Sequence, residues 1–367
     1  MRIISMSAEE KDTWVFNAQA TSTLLIAAWY VFGVFIALGI LGSYAKAFSS
    51  WGAQWVIPLL LSVFYFGAGY LFQRHECIDS FSTWRAFMKR KTITLLTPFF
   101  AFAILTLLTA SMVSLEPELI EHGIVNAVTP FSGEAFVHAV LIEPVGPVGY
   151  FIVLWGFFII TRTPRTKGGM GVLIALALAL KGCTIVLADT GITNTLPYYL
   201  LHMMNNWIWF IAGMALSFSK KERTLATKRN ALCLVVCFCA FGALLFGTNT
   251  TEAASLALLG ALGLASFYSI SGAFFLEGAQ VRFYGFVTRY TMAIWLMHQI
   301  IAKLCFCALF ALGISWSGAL ANSGVAIYAI VCLVACYVLP ILVMKGLSRV
   351  GKLGFIVYPS RYLPEKL

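Results

Sequence analysis

The chain has 367 residues, of which 60% are hydrophobic and only 11% are charged, and its mean hydropathy is +0.87. These values exclude a soluble globular protein and are typical of a polytopic membrane protein. The net charge of +10 does not require a nucleic-acid partner, because basic loops facing an anionic lipid surface explain it.

Ten apolar stretches approach the length of about 20 residues that a helix needs to cross a bilayer. They lie at residues 21–42, 55–72, 92–114, 147–161, 169–188, 198–218, 230–248, 254–275, 290–312 and 323–344. The first is too long for a signal peptide and lacks its cleavage site, so we expect it to be retained. We therefore predict an all-α integral membrane protein with about ten transmembrane helices.

The basic residues fall in every second gap between these stretches. If the N-terminus is cytoplasmic, 22 of the 25 lysines and arginines face inside. This asymmetry predicts that both termini are cytoplasmic and that the protein is a multi-pass protein of the plasma membrane. The predicted organisation is a cytoplasmic arm at 1–20, a transmembrane domain at 21–344 and a basic tail at 345–367. We expect the tail to rest on anionic membrane lipid.

Eight of the nine cysteines lie within the predicted spans, and only Cys77 lies in a loop, on the reducing side. This distribution excludes a disulfide framework. Cysteine is also a common small apolar residue in helices, so we predict no metal site. No permanently bound cofactor is expected.

A basic cluster precedes the third span. It consists of Arg85, Lys89, Arg90 and Lys91. Ammonium and guanidinium groups match the phosphate oxygens of a nucleotide-like donor, so the cluster is a candidate donor site. The alternative is that these charges only set the topology.

Small residues at Gly67, Ala68 and Gly69 lie near the cytoplasmic end of the second span. Glycine removes the side chain that would keep a neighbour at a distance. The pattern therefore predicts either close helix packing or close approach of a ligand to the backbone.

The outer end of the sixth span is rich in amides and aromatic rings. It contains His202, Asn205, Asn206, Trp207 and Trp209. Such residues either form an interfacial aromatic belt or bind a sugar through hydrogen bonds and an apolar platform.

Two ionisable residues lie deep in the ninth span, His298 and Lys303. Ionisable groups inside spans are costly and indicate function, and no carboxylate lies in any span to pair with Lys303. Five residues of helix separate the two by about 140°, so they could line one cavity from different sides. The alternative for His298 is a neutral imidazole that is hydrogen-bonded within the bundle.

In chain order, four segments resemble motifs of the acyltransferase-3 family of membrane O-acyltransferases. They are the proline-led helix Pro58–Phe72, the basic stretch Phe87–Pro98, the helix start Gly146–Phe151 and the segment Tyr290–His298. The resemblance implies transfer of an acyl group, often acetyl, from cytoplasmic acetyl-CoA to a hydroxyl. The implied acceptor is a cell-envelope carbohydrate or a related molecule.

The chain departs from the family at several motif positions. The family's first helix usually carries a basic residue and, after ten positions, a histidine, and Gln19 and Tyr30 have that spacing here. Ile93 or Thr94 replaces the second arginine of the basic motif, and Tyr150 replaces a tryptophan. The candidate catalytic residues are accordingly His298, Lys303 and Tyr30.

The predicted acyl-CoA contacts are the four residues of the basic cluster. The candidate acceptor contacts are His202, Asn205, Asn206, Trp207 and Tyr150. Two alternatives remain open at this point. One is a non-catalytic relative that binds a glycan, a lipid or a partner protein, and the other is a transporter of a small or lipid-linked substrate. The sequence does not indicate the oligomeric state.

Overall fold

A computed structural model describes residues 12–37, 43–76, 78, 80–114, 132–144, 146–191, 196–276, 282–311 and 321–361. The ordered elements in these ranges are all helices, so the predicted all-α class is confirmed. In chain order the helices are α1 (Thr13–Ala37), α2 (Ser43–Ala53), α3 (Val56–His75), α4 (Phe81–Val113), α5 (Gly133–Leu141), α6 (Gly149–Ile160), α7 (Lys167–Asp189), α8 (Tyr198–Ser219), α9 (Glu222–Leu225), α10 (Lys228–Gly247), α11 (Ala253–Phe275), α12 (Arg282–Val287), α13 (Thr291–Ala311) and α14 (Ala321–Arg349). Short 3₁₀ segments lie at Gly146–Val148, Thr288–Tyr290, Gly351–Ile356 and Pro359–Arg361.

Eight helical segments in the described ranges are long and apolar enough to cross a membrane, and α5 with α6 would make a ninth. With its 12 residues, α6 alone is about 18 Å long, which is short of a hydrocarbon core of about 30 Å. The sixth predicted span corresponds to α8, which has 22 residues. It is not one of these eight segments, because the polar side chains of His202, Asn205 and Asn206 lower its mean hydropathy. The membrane class is therefore supported, while ten spans and two cytoplasmic termini remain predictions.

The first and last long helices extend beyond the predicted limits of the transmembrane domain, 21 and 344. Helix α1 begins at Thr13, inside the predicted arm 1–20, and Trp14 is buried. At the other end, α14 continues to Arg349 and so enters the predicted tail 345–367. The hydroxyl of Tyr358 in that tail accepts a hydrogen bond of 3.3 Å from the backbone N–H of Ala293. Residues 1–11 and 362–367 lie outside the described residues, as does most of the long outer gap, 115–131 and 145.

The described helices form two compact units. Unit 1 is built from segments within Met1–Ser22, Trp51–Trp84 and Gly156–Arg289. Unit 2 is built from segments within Thr23–Ser50, Arg85–Trp155 and Tyr290–Leu367. The two units subdivide the predicted transmembrane domain, and each is discontinuous in the sequence.

Three buried aromatic rings form the centre of unit 1. The indole of Trp14 packs edge-on against the rings of Tyr70 and Tyr268, with centroids 5.2 and 5.6 Å away. Pairs of this geometry contribute about 0.5–1.5 kcal/mol each beyond their buried area. The hydroxyl of Tyr268 donates a 2.6 Å hydrogen bond to the carbonyl of Val63, and that of Ser271 donates one of 2.6 Å to the carbonyl of Trp14. These contacts join the start of α1 to α3 and α11.

Helices α3 and α8 of unit 1 approach each other to backbone contact. A Cβ atom added at Gly69 would overlap the carbonyl oxygen of Phe210, and one added at Gly213 would overlap that of Phe66. At Gly67, an added Cβ would lie 2.7 Å from the hydroxyl of Tyr268. Of the two explanations for the small residues at 67–69, the structure therefore supports close helix packing.

Unit 2 holds α13 through hydrogen bonds and ring contacts on several sides. The thiol of Cys336 in α14 donates to the carbonyl of His298 at 3.4 Å. The hydroxyl of Tyr328 in α14 also donates to the carbonyl of Cys305. On the side of α1, the rings of Phe35 and Phe306 pack edge-on at 5.3 Å. Helix α13 is therefore held between α1 and α14, and this packing buries His298.

The predicted topology can be tested with two engineered thiols. In a cysteine-free background, we expect Glu134→Cys to react with an impermeant maleimide from outside intact cells. The matched variant Arg223→Cys should react only after permeabilisation, because Arg223 lies in a gap predicted to be cytoplasmic, and both native side chains are exposed. The opposite labelling pattern would reverse the orientation.

The α3–α8 contact can be tested by adding one methyl group. We expect Gly213→Ala to lower the free energy of unfolding by about 1–3 kcal/mol, because the backbones must move apart. The control is Gly171→Ala in α7, where an added Cβ meets no atom within 4 Å. The measurement is thermal unfolding of the purified protein, and equal stability of the two variants would contradict the observed contact.

Candidate functional site

His298 lies in α13 and is only 1% exposed. Its Nδ1 lies 2.8 Å from the carbonyl oxygen of Trp295 and 3.2 Å from that of Ile294. Carbonyl oxygens only accept, so Nδ1 carries the proton and the lone pair of the neutral ring is on Nε2. This Nε2 is buried, and no described atom forms a hydrogen bond with it. The backbone of α13 thus holds the imidazole in the tautomer whose basic nitrogen is Nε2.

Two tyrosines selected from the sequence pack on this part of α13. The ring of Tyr30 from α1 meets the imidazole of His298 edge-on, with centroids 6.0 Å apart. The ring of Tyr150 from α6 meets Trp295 at 6.0 Å, one turn before His298. The structure therefore brings Tyr30, one of the candidate catalytic residues, into contact with His298.

The glycine that precedes α6 also packs against α13. Gly146 has a positive φ of 76°, a conformation that favours glycine. A Cβ added there would lie 3.1 Å from the side-chain oxygen of Gln299 and 3.1 Å from Cγ2 of Thr106. The helix start that resembles a family motif is thus fitted against the residue that follows His298.

Lys303 lies five residues beyond His298 in α13 and is half-buried. No described carboxylate forms an ion pair with its ammonium group. The rotation of about 140° between the two residues places them on different faces of the helix. Lys303 is therefore a half-buried cation of unit 2 without an ionic partner among the described residues.

The four members of the basic cluster lie on α4 but do not share one face. Arg85 and Lys89 are one turn apart and exposed, whereas Arg90 and Lys91 are half-buried. The ammonium of Lys91 lies 5.1 Å from the ring centroid of Phe87. The exposed pair Arg85 and Lys89 is therefore the part of the cluster best placed for a phosphate group in solution.

Unit 1 contains a cavity of about 300 Å³ between α3, α7, α8 and α11, which we call the outer cavity. Each helix contributes the end that the charge pattern predicts to face outward. Polar side chains make up much of its wall, namely Gln54, Ser62, Lys181, Thr184, His202, Asn205 and Asn206. Three of the predicted acceptor contacts therefore do lie together.

Trp207 and Tyr150 are not among the residues that line the outer cavity. One face of α8 carries residue 202, then 205 and 206 three and four positions later, and then 209 four and three positions after those. Residue 207 lies on another face. The indole of Trp207 is buried and donates a 2.9 Å hydrogen bond to the hydroxyl of Thr161. Trp209 lines the cavity instead, and Tyr150 belongs to unit 2.

Lys181 is a cavity residue that sequence reasoning did not select. Its ammonium donates a hydrogen bond to Oδ1 of Asn205 and lies 5.7 Å from the ring centroid of Trp209. The signal that could have found it is a single lysine within an apolar span. Its partners come from another helix, so the sequence alone does not reveal them.

A second group that the sequence did not reveal is an ionic cluster where the N-terminal end of α1 meets the C-terminal end of α3. The buried carboxylate of Asp12 lies 3.0 Å from Nε of Arg74 and 2.6 Å from Nε2 of His75. Arg74 also bonds the carboxylate of Glu222 at 3.2 Å and the hydroxyl of Tyr70 at 2.7 Å. Because the charges pair with one another, this cluster fits a structural role that ties α1 and α9 to α3.

Among the described residues, no group of three or more His, Cys, Asp or Glu side chains could hold a metal ion. No protein-family model matches the sequence, and no curated protein or solved structure matches it either.

Proposed function

We propose that this chain is a membrane O-acyltransferase. It moves an acyl group, acetyl in the simplest case, from a cytoplasmic CoA thioester to a hydroxyl of a cell-envelope carbohydrate or related acceptor. The observation that carries the proposal is His298, a buried imidazole whose Nδ1 is committed to backbone carbonyls and whose Nε2 makes no hydrogen bond to a described residue. The ordered segments that resemble acyltransferase 3 support the same activity.

In the proposed reaction, Nε2 of His298 accepts the proton of the acceptor hydroxyl. The oxygen attacks the thioester carbonyl carbon, the carbon–sulfur bond breaks, and the CoA thiolate takes the proton from the imidazolium. The products are an ester and CoA. General base catalysis of this kind contributes about 10²–10⁴-fold.

Lys303 and Tyr30 have supporting roles in this proposal. Lys303 supplies positive charge for the oxyanion that develops on the thioester carbonyl. Tyr30 packs edge-on against His298 and restricts the orientation of its ring. This placement makes Tyr30 a positioning residue.

The donor in the proposal binds at the basic cluster. The phosphates of acyl-CoA pair with Arg85 and Lys89, the exposed members on one face of α4, and with Arg90 and Lys91 farther around the helix. A CoA donor requires this end of α4 to face the cytoplasm, as the charge pattern predicts. Of the acceptor contacts predicted from the sequence, three lie together in the outer cavity, namely His202, Asn205 and Asn206.

Two observations favour a second function, that of a non-catalytic relative that binds a glycan or lipid. His298 is buried to 1% exposure, and Tyr30 replaces the histidine usual in the first helix of the resembling family. Both functions predict ligand binding, and only acyl transfer predicts a chemical product.

The decisive experiment follows a labelled acyl group. Purified protein in lipid nanodiscs is incubated with radiolabelled acetyl-CoA and a cell-envelope fraction, and ester formation and CoA release are measured together. We expect His298→Ala to lower the transfer rate by about 10²-fold or more, because the proton acceptor is lost. CoA binding should remain unchanged.

His138→Ala is the matched control, because His138 is an exposed histidine of unit 2 on α5. We expect this variant to keep the wild-type rate. Wild-type protein that binds CoA but transfers nothing to any envelope fraction would favour the binding protein. Full activity of His298→Ala would show that the reaction is catalysed elsewhere.

The donor site can be tested separately by equilibrium binding of CoA. Each charge-assisted hydrogen bond is worth about 1.5–3 kcal/mol, so we expect Arg85→Ala with Lys89→Ala to weaken CoA binding at least about tenfold. Binding should also become less sensitive to salt. Lys167→Ala, which removes an exposed charge at the start of α7, is the control and should bind CoA normally. Equal affinity of all three proteins would leave the basic cluster with a topological role only.

A further inference from the structure

The outer cavity presents a positive charge that no described carboxylate matches. None of the described residues that line it is an aspartate or a glutamate. Lys181 is half-buried in its wall and forms no ion pair with a described residue. An ammonium group removed from water is stabilised by a counter-ion, and here a ligand can supply it.

The cavity offers hydrogen-bond acceptors as well as donors, because Ser62, Thr184 and Asn206 donate to backbone carbonyls and keep their side-chain oxygens as acceptors. An ammonium has three N–H groups, and Lys181 uses one of them on Oδ1 of Asn205. Asn205 also lines the cavity, and its amide carries two N–H donors on Nδ2 besides the oxygen that accepts from Lys181. A ligand that carries both acceptor oxygens and hydroxyl groups would pair with both sets.

The wall of the cavity also offers a rigid aromatic surface. The ring of Trp209 lines the cavity beside Lys181, whose ammonium lies 5.7 Å from the ring centroid. An aromatic face packs well against the apolar face of a sugar ring, while the neighbouring donors bond its hydroxyls. The volume of about 300 Å³ lies at the lower end of the range of small-molecule sites, about 300–1,000 Å³. A ligand the size of a monosaccharide therefore fits.

We propose that the outer cavity is a binding site for a small anionic ligand that carries hydroxyl groups. Its carboxylate or phosphate pairs with Lys181 and accepts hydrogen bonds from Asn205, and the carbon face of its hydroxyl-bearing part packs on Trp209. The proposal uses residues of unit 1 alone and does not depend on acyl transfer.

The same chemistry can come from two sources. One is a soluble acidic sugar, such as a uronic acid or a sugar phosphate. The other is the headgroup of an anionic phospholipid, since all four walls are ends of helices that are predicted to lie near the outer membrane surface. Both sources require the charge of Lys181, and a competition experiment separates them.

The experiment measures equilibrium binding of glucuronate, glucose 1-phosphate and neutral glucose to the full chain in nanodiscs of phosphatidylcholine, without CoA. We expect the wild type to bind both anions at least about tenfold more tightly than glucose, as charge-assisted hydrogen bonds imply. Lys181→Met should lose this preference and Lys181→Arg should keep it. Lys167→Met, which removes a charge from the start of the same helix, should bind like the wild type.

Repeating the titration in nanodiscs that contain phosphatidylglycerol distinguishes the sources. Displacement of glucuronate by this lipid supports the headgroup as the ligand, and unchanged glucuronate binding supports the soluble sugar. Equal affinity of the wild type for glucose and glucuronate would overturn the proposal, even if Lys181→Met does not fold. Anion preference that survives in folded Lys181→Met, or no binding of any probe at millimolar concentration, would overturn it as well.

Discussion

The backbone contact between α3 and α8 is the constraint on which the architecture of unit 1 depends. Gly69 lies against the carbonyl of Phe210 and Gly213 against that of Phe66, so neither helix leaves room for a side chain between them. Toward the N-terminal ends of the same two helices, the segments 58–62 and 201–209 contribute facing walls of the outer cavity. The glycine contact therefore sets the separation of those walls. A change that pushes the helices apart would alter the cavity without touching any residue that lines it.

The polar groups within the helices are stabilised in two different ways. His298 bonds carbonyls of its own helix, three and four residues earlier, so its partners follow from the helical backbone itself. Lys181 bonds Asn205 of another helix and approaches Trp209, so its environment depends on tertiary packing. The first arrangement leaves a free lone pair and suits proton acceptance. The second leaves free N–H donors and a positive charge, and it suits binding of an anion.

Carboxylates are distributed unevenly, and this separates charges that pair with one another from charges that have no ionic partner among the described residues. Asp12 is buried, but it pairs with Arg74 and His75, and Arg74 also pairs with Glu222. Charges that satisfy one another hold helices together and need no ligand. Lys181 and Lys303 have no such partner among the described residues, and a cation in an apolar bundle without a carboxylate indicates a wet or ligand-binding site.

The sequence by itself determined the membrane class, the helical character and the placement of His298 and Lys303 within one apolar helix, because hydropathy and charge are local properties of the chain. It also selected His202, Asn205 and Asn206 as a group, because amides and aromatic rings cluster in this segment, and helix spacing places Trp209 and not Trp207 on their face. Only the tertiary structure decided that this face lines a cavity, that Lys181 joins it, that Tyr30 meets His298 and that Asp12 pairs with Arg74. Each of these depends on which helices are neighbours, and residues far apart in the sequence carry no local signal of the contact that packing creates.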